Sequence, residues 1–323
     1  MPKLKRKTII RFILAIVIVF FIIKIIPTIK DALTTTEVLK YGELKVSNDI
    51  SCVIVRDETV YAAKESSLLD KKVNESTLVK KNSQVVKLRN SGKDSIGSSY
   101  KEYADHLGKS MEYTNGGSKQ RGVVSYYIDG YEGEFTPDNI KNMKYSDVGE
   151  KDIEPKDVSR NETAKDDPIF KIADNGNWYL VFWIENDDLN KYKVGNGVTA
   201  ELESGNVRGI IDAIRSDGSR WQIVVRTNRM YDDFAKIRRA DIKMVTLQEK
   251  GLIISNKCLT TKNHKVVCYV KTVSGESVPM QVKVLVTDGE HSVVADNEYV
   301  DKDGNTVKTV KDYDEVLKNP KAD

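Results

Sequence analysis

The chain is poor in the residues from which most catalytic and metal sites are made. Its 323 residues include three cysteines and three histidines. Cys52, Cys258 and Cys268 are too few and too unevenly spaced for a disulfide framework. His106, His264 and His291 are scattered, with no C-x-x-C or H-x-x-x-H company, so no metal site is visible. There is no G-x-S-x-G, P-loop or H-E-x-x-H, and the acid pairs Asp166-Asp167 and Asp187-Asp188 sit in turn-like polar stretches that read as solvated loop. Asp301-Lys302-Asp303-Gly304-Asn305 offers oxygen ligands but lacks the closing Glu of a calcium loop, and reads as a hairpin turn. These absences argue against an enzyme and against a bound cofactor or metal. A basic surplus is missing too. Removing the seven Lys/Arg and one Asp of residues 1–31 from the totals of 51 and 48 leaves 44 basic against 47 acidic residues, a poor match for nucleic acid.

Long apolar runs are also lacking, with one exception. Thr8 to Ile26 is apolar almost throughout, and Phe12 to Ile23 carries no polar side chain. About twenty such residues cross a bilayer as a helix, the one form that satisfies its own backbone there. Phe12, Leu14, Ile16, Ile18, Phe20 and Ile22 are the residues assigned to this membrane anchor. Lys3, Lys5, Arg6 and Lys7 precede it and keep residues 1–7 in the cytoplasm. No small-residue cleavage site follows, so 8–26 reads as an uncleaved single-pass anchor in the cell membrane, with the bulk extracytoplasmic.

Beyond a juxtamembrane stalk, 27–47, the pattern turns to β. Short apolar runs separated by polar turns fill 48–90, as in a small sandwich. Ile96, Tyr100, Tyr103, Leu107 and Met111 then recur at steps of four and three, which predicts one helix of four or five turns across Ser95–Tyr113. A helix this length is marginal in water, so its apolar face must pack on its own domain or on a second protomer, where it would be the interaction helix. Strands resume at Gly122–Ile128. Thr136-Pro137 opens short helices, and Trp178–Ile184 is the most apolar run outside the anchor. Cys258 to Cys268 flank a hairpin centred on Asn263, either as two buried thiols or as a bridge across it.

Taken in order, these segments resemble the HlyD-type membrane fusion proteins, the adaptor subunits of secretion and efflux systems. Val55-Arg56-Asp57-Glu58 and the phrase Val73-Asn74-Glu75-Ser76-Thr77-Leu78-Val79-Lys80-Lys81-Asn82-Ser83-Gln84-Val85 look like the first half of a lipoyl-like domain. Gly122–Ser125 and Pro168–Ile172 look like its completion, and Asn177–Leu180, Asp187–Leu189, Lys193–Val198 and Arg208–Asp212 like the barrel that follows. Ser76 and Asn82 stand where the family has glycine, the long coiled hairpin is missing, and Lys64 lacks the neighbours of a lipoyl attachment site.

The resemblance implies a mainly β, membrane-anchored protein with seven parts beyond the basic flank. These are the anchor, the stalk, a lipoyl-like first half (48–90), a short helical insertion (91–119), a second half (120–174), a β-barrel (175–249), and a membrane-proximal β domain and tail (250–323). It implies a non-enzymatic adaptor without cofactor that forms homo-oligomers and joins an inner-membrane transporter permease, ABC or similar, for efflux or secretion. The alternative is a cell-envelope scaffold, in envelope assembly or division, that keeps the adaptor fold without a pump.

Overall fold

The computed structural model describes residues 19–20, 35–91, 96–107, 111–149, 151 and 153–320. Of the anchor it describes Val19 and Phe20, which are helical and exposed; the rest of 8–26 lies outside the described residues. No helix among the described residues is long and apolar enough to cross a membrane. The chain divides into two compact units, one from residues 47 to 247 and one from the segments up to 46 and from 248 onward.

The first part of the 47–247 unit is a sandwich. Glu58–Ala63, an all-apolar strand after its first residues, is flanked by Pro168–Ala173 and by Met111–Thr114, the second in parallel. Pro168–Ala173 pairs in turn with Gly122–Ser125, and that strand with Leu78–Val79. A three-stranded sheet of Ser67–Lys71, Val86–Asn90 and Glu162–Thr163 completes the layer pair. Segments more than sixty residues apart thus share one core, around Val60, Tyr61, Val85, Val124, Phe170 and Ile172. Both substituted glycine positions keep the left-handed backbone: φ is 60° at Ser76 and 66° at Asn82. Residues other than glycine pay for this by about 1–2 kcal/mol. At Ser76 the hydroxyl, which donates to the Asp232 carbonyl at 2.7 Å, offsets part of it.

The second part is a barrel. Trp178–Glu185, Arg220–Thr227, Gly205–Asp217 and Gly197–Leu202 run as an antiparallel meander. The strand that ends at Val55 adds to Trp178–Glu185, and the strand that begins at Arg239 adds to Gly197–Leu202, closing the ring. Trp178, Phe182, Ile223, Phe234 and Met244 fill it.

The other unit is a β-sandwich around Leu39, Leu252, Ile254, Cys258, Cys268 and Val316. Thr36–Val38 pairs with Glu315–Leu317, which corrects the stalk: Thr36–Val38 and the start of Lys40–Val55 are strand, with Leu39 between them and Leu44 both buried. Two isolated leucines in a largely polar stretch are too sparse to mark strands by spacing alone. Thr260–Lys262 and Lys265–Lys271 form the hairpin expected about Asn263, and Asn263 and His264 both have positive φ, as a two-residue primed turn requires. Cys258 and Cys268 are buried free thiols. Asp301 caps its hairpin turn, accepting from the backbone N–H of Asp303 at 3.0 Å and of Asn305 at 2.8 Å.

The helix is shorter than its periodicity suggested. It spans Lys101–Leu107, two turns. Ile96 precedes it outside the helix, and Met111 opens the parallel strand. Gly97, Ser98 and Ser99 are poor helix formers, and the Ser98 hydroxyl is used elsewhere, donating to Asp167 at 2.5 Å while accepting from the Tyr100 N–H. At the far end, Met111–Thr114 gains a ladder to Val60–Ala63 that a helix could not offer.

Candidate functional site

The chain leaves the barrel at Val55 and enters the sandwich at Glu58, and the crossing carries Arg56-Asp57-Glu58. Arg56 and Glu58 turn inward and are buried. Four more charges meet them. Lys171 comes from the centre of Pro168–Ala173, where every neighbour is buried. Asp129 and Glu132 come from the turn after Tyr127–Ile128, and Arg238 from the segment that leads into the last barrel strand. The result is three cations and three carboxylates out of water, balanced in charge.

Glu58 is the hub. Its Oε1 accepts from Arg56 Nε at 2.9 Å and from Lys171 Nζ at 2.9 Å, and its Oε2 accepts from the Arg238 guanidinium. Lys171 also reaches Glu132 at 3.2 Å and Asp129 at 3.9 Å, and Arg238 pairs with Asp129 at 3.0 Å. The remaining capacity is taken up by backbone. Glu132 accepts from the N–H groups of Asp129 and Gly130 at 2.9 and 3.0 Å. Arg56 donates to the carbonyls of Ile237 and Ala235, and Arg238 to that of Ile54, whose own N–H returns to the Arg238 carbonyl at 2.7 Å. Phe234 and Phe135 lie beside the two guanidinium groups at 5.7 and 6.0 Å.

Burial acts to raise the Glu58 carboxyl, but Arg238, Arg56 and Lys171 outweigh it and hold the group well below the usual carboxylate range. Glu132 is the converse: burial dominates, Lys171 opposes it, Asp129 and Glu58 reinforce it, and the carboxyl is raised. Burial lowers Arg238 and Asp129 and Glu58 raise it, with a net rise that keeps it cationic. Each carboxylate is held by cations, backbone N–H groups or both, which fixes the geometry of the cluster. The cluster joins sandwich to barrel. At the surface beside Asp129 and Gly130 lies a cleft of about 260 Å³ lined by Glu102, Tyr103, His106, Tyr131 and Glu154.

The sequence-derived residues fall as follows. Tyr100 and Leu107 are buried in the core of their own sandwich, and Tyr103 and Met111 pack partly against it. The Tyr100 hydroxyl donates to the Asp157 carbonyl at 2.9 Å, and the Arg160 guanidinium lies 4.4 Å from its ring. Part of the periodic apolar face, Tyr100 and Leu107, is therefore covered within the protomer, and Ile96, Tyr103 and Met111 stay half-buried. Phe20 is exposed, while Phe12, Leu14, Ile16, Ile18 and Ile22 lie outside the described residues. Lys64 is exposed, and Asp188 pairs with Lys191 at the surface. Asp167, expected in a solvated loop, is buried, held by Ser98 and Arg160. Among the described residues no group of histidine, cysteine and carboxylate side chains could hold a metal ion. The charge cluster was not foreseen: Arg56-Asp57-Glu58 were read only as part of the lipoyl-like first half. One signal was present, a lysine inside the apolar strand Ile169-Phe170-Lys171-Ile172. A charge at such a position has to be paired.

Comparison with known proteins divides the chain at the same places. Residues 58–174 match the family model described as RND related, barrel-sandwich hybrid domain, and residues 178–248 the one described as RND related, beta-barrel domain. Together they cover more than half of the chain. No curated protein matches the sequence significantly. Among solved structures, MacA from Actinobacillus actinomycetemcomitans is 13% identical over 89% of this chain and 100% of that one, with a TM-score of 0.35. ZneB from Cupriavidus metallidurans is 8% identical over 88% and 92%, with a TM-score of 0.30. The membrane fusion protein Spr0693 from Streptococcus pneumoniae R6 is 13% identical over 63% and 98%, with a TM-score of 0.28. Scores of this size do not establish a shared whole-chain arrangement.

Proposed function

We propose, from the premise that this chain belongs to the RND-related family of barrel-sandwich hybrid and β-barrel domains, that it is a non-enzymatic, single-pass membrane-anchored adaptor. It assembles outside the cytoplasmic membrane with a transporter for efflux or secretion. The observation that carries the reading is the way sandwich and barrel are joined: Arg56, Glu58, Asp129, Glu132, Lys171 and Arg238 lock the two domains, and an adaptor needs that stiffness between partners. The apolar run 8–26 supplies the tether. The two-turn helix Lys101–Leu107 takes the place of the long hairpin, so the extracytoplasmic reach is short.

The test is extraction of the tagged full chain from its native membrane in mild detergent, with the co-purifying proteins identified by mass spectrometry. Enrichment of a transporter permease is the expected result. Envelope-assembly or division proteins without a permease would replace the adaptor by a scaffold. Release of the chain by an alkaline carbonate wash would remove the anchor from the reading.

A further inference from the structure

The unit that contains residues 248–320 carries a groove of about 520 Å³, between the turn at His264, the end of Ser277–Gln281 and the hairpin turn after Val300. Lys265, Lys283 and Lys302 stand around it, all exposed. None of the three closes an ion pair within contact distance of another described residue; Lys265 acts on the Asp301 carboxylate through space, and Lys283 lies 5.5 Å from the Tyr299 ring. Two acids share the lining, and they are not equivalent. The Asp301 carboxylate faces its own turn, held by the N–H groups of Asp303 and Asn305, while Asp303 is exposed at the rim. Tyr299 is fixed by a hydrogen bond from Gln281 at 2.5 Å and presents a polar edge between apolar walls. Those walls include Val266 and Val300, 38% and 58% exposed.

Exposed ammonium groups that outnumber the carboxylates of the lining, a phenol and exposed apolar side chains in one concave site suit a ligand with an anionic head and an apolar body. The position of the unit in the chain says where such a ligand is found. Nine residue steps separate Ile26, the end of the apolar run, from Thr35, and even fully extended they span about 30 Å. The unit therefore stays near the headgroups of the bilayer that holds the anchor. We propose that this groove binds the phosphate-bearing headgroup of an anionic phospholipid, the lysines taking the phosphate and Val266 and Val300 facing the glycerol and upper acyl chain. Exposed lysines are drawn to anionic headgroups within a Debye length. The choice of a membrane lipid as the source rests on the anchored reading above; the groove itself does not.

The experiment uses the purified full chain in neutral detergent, with hydrogen exchange measured over residues 264–266 and 299–303. Three probes are titrated: dihexanoyl phosphatidylglycerol, dihexanoyl phosphatidylcholine and inorganic phosphate. The expected result is saturable protection by the phosphatidylglycerol alone. The triple variant Lys265→Gln, Lys283→Gln, Lys302→Gln should need at least tenfold more lipid, and Lys→Arg at the same three positions should restore protection. These side chains are exposed, so loss of binding does not mean loss of fold, and an unchanged melting curve checks this. Equal protection by phosphatidylcholine, or an unaffected Gln variant, would refute the site. Equal protection by inorganic phosphate would make the ligand a free anion and refute the lipid. A soluble short-chain lipid needs no anchor, so failure of the anchored reading is seen separately, in the carbonate wash.

Discussion

Replacing Lys171 by methionine removes one of three buried cations at nearly constant volume, so little packing energy changes. What remains is Glu58, Asp129 and Glu132 facing Arg56 and Arg238, one negative charge in excess out of water. Lys171 is 2.9 Å from Glu58 and 3.2 Å from Glu132, and Glu58 keeps two guanidinium partners, so Glu132 bears the loss. Breaking a buried pair by removing one partner costs about 3–5 kcal/mol. For a unit of about 200 residues, each kcal/mol moves the melting temperature by about 2–4 °C, so a fall of about 6–20 °C is expected in thermal melts of the full chain in detergent. The deficit should depend on pH with a definite sign. The Glu132 carboxyl is already raised by burial, with Lys171 holding it back, and without Lys171 it rises further. A carboxyl raised on folding penalises the folded state as pH climbs above the unfolded value of 4.5, so the variant's deficit should be smallest near about pH 5 and grow toward about pH 8. A deficit under about 2 °C at neutral pH, or one that widens on acidification, would refute the ionic account of this junction.

Three further perturbations follow from other parts of the structure. Glu58, lowered by its three cations, contributes stability that is present above its unfolded value of 4.5 and lost as pH falls below it; Glu58→Gln should flatten that acid limb in melts recorded across pH. Tyr100→Ala should cost about 3–5 kcal/mol in urea unfolding and leave the oligomeric state by light scattering unchanged, because the ring is in the protomer's core. Gly116→Ala should destabilise the sandwich by about 1–3 kcal/mol or more, since φ is +96° and the new Cβ would lie 1.9 Å from the Val86 carbonyl oxygen; a urea midpoint equal to wild type would contradict the placement of that turn.

Several features were legible in the sequence because they depend on neighbours along the chain. The Asn263-His264 hairpin, the Thr136-Pro137 helix start and the barrel strands each follow from local spacing or from a turn residue with one preferred backbone. The left-handed turns at Ser76 and Asn82 were implied by the resemblance, whose family has glycine at both positions. The helix over Ser95–Tyr113 failed at its ends for a non-local reason. Ser98 found Asp167 sixty-nine residues away, and Met111 found the edge of Glu58–Ala63, and neither partner is visible from helical spacing. Leu39, between the first two strands, enters a core assembled from the far end of the chain. The charge cluster is the clearest case. Sequence determined that Lys171 needed a partner, because an ammonium in an apolar strand cannot stay buried alone. Only the tertiary structure decided which partners, since Arg56, Glu58, Asp129, Glu132, Lys171 and Arg238 span more than 180 positions and meet where the chain passes from barrel to sandwich.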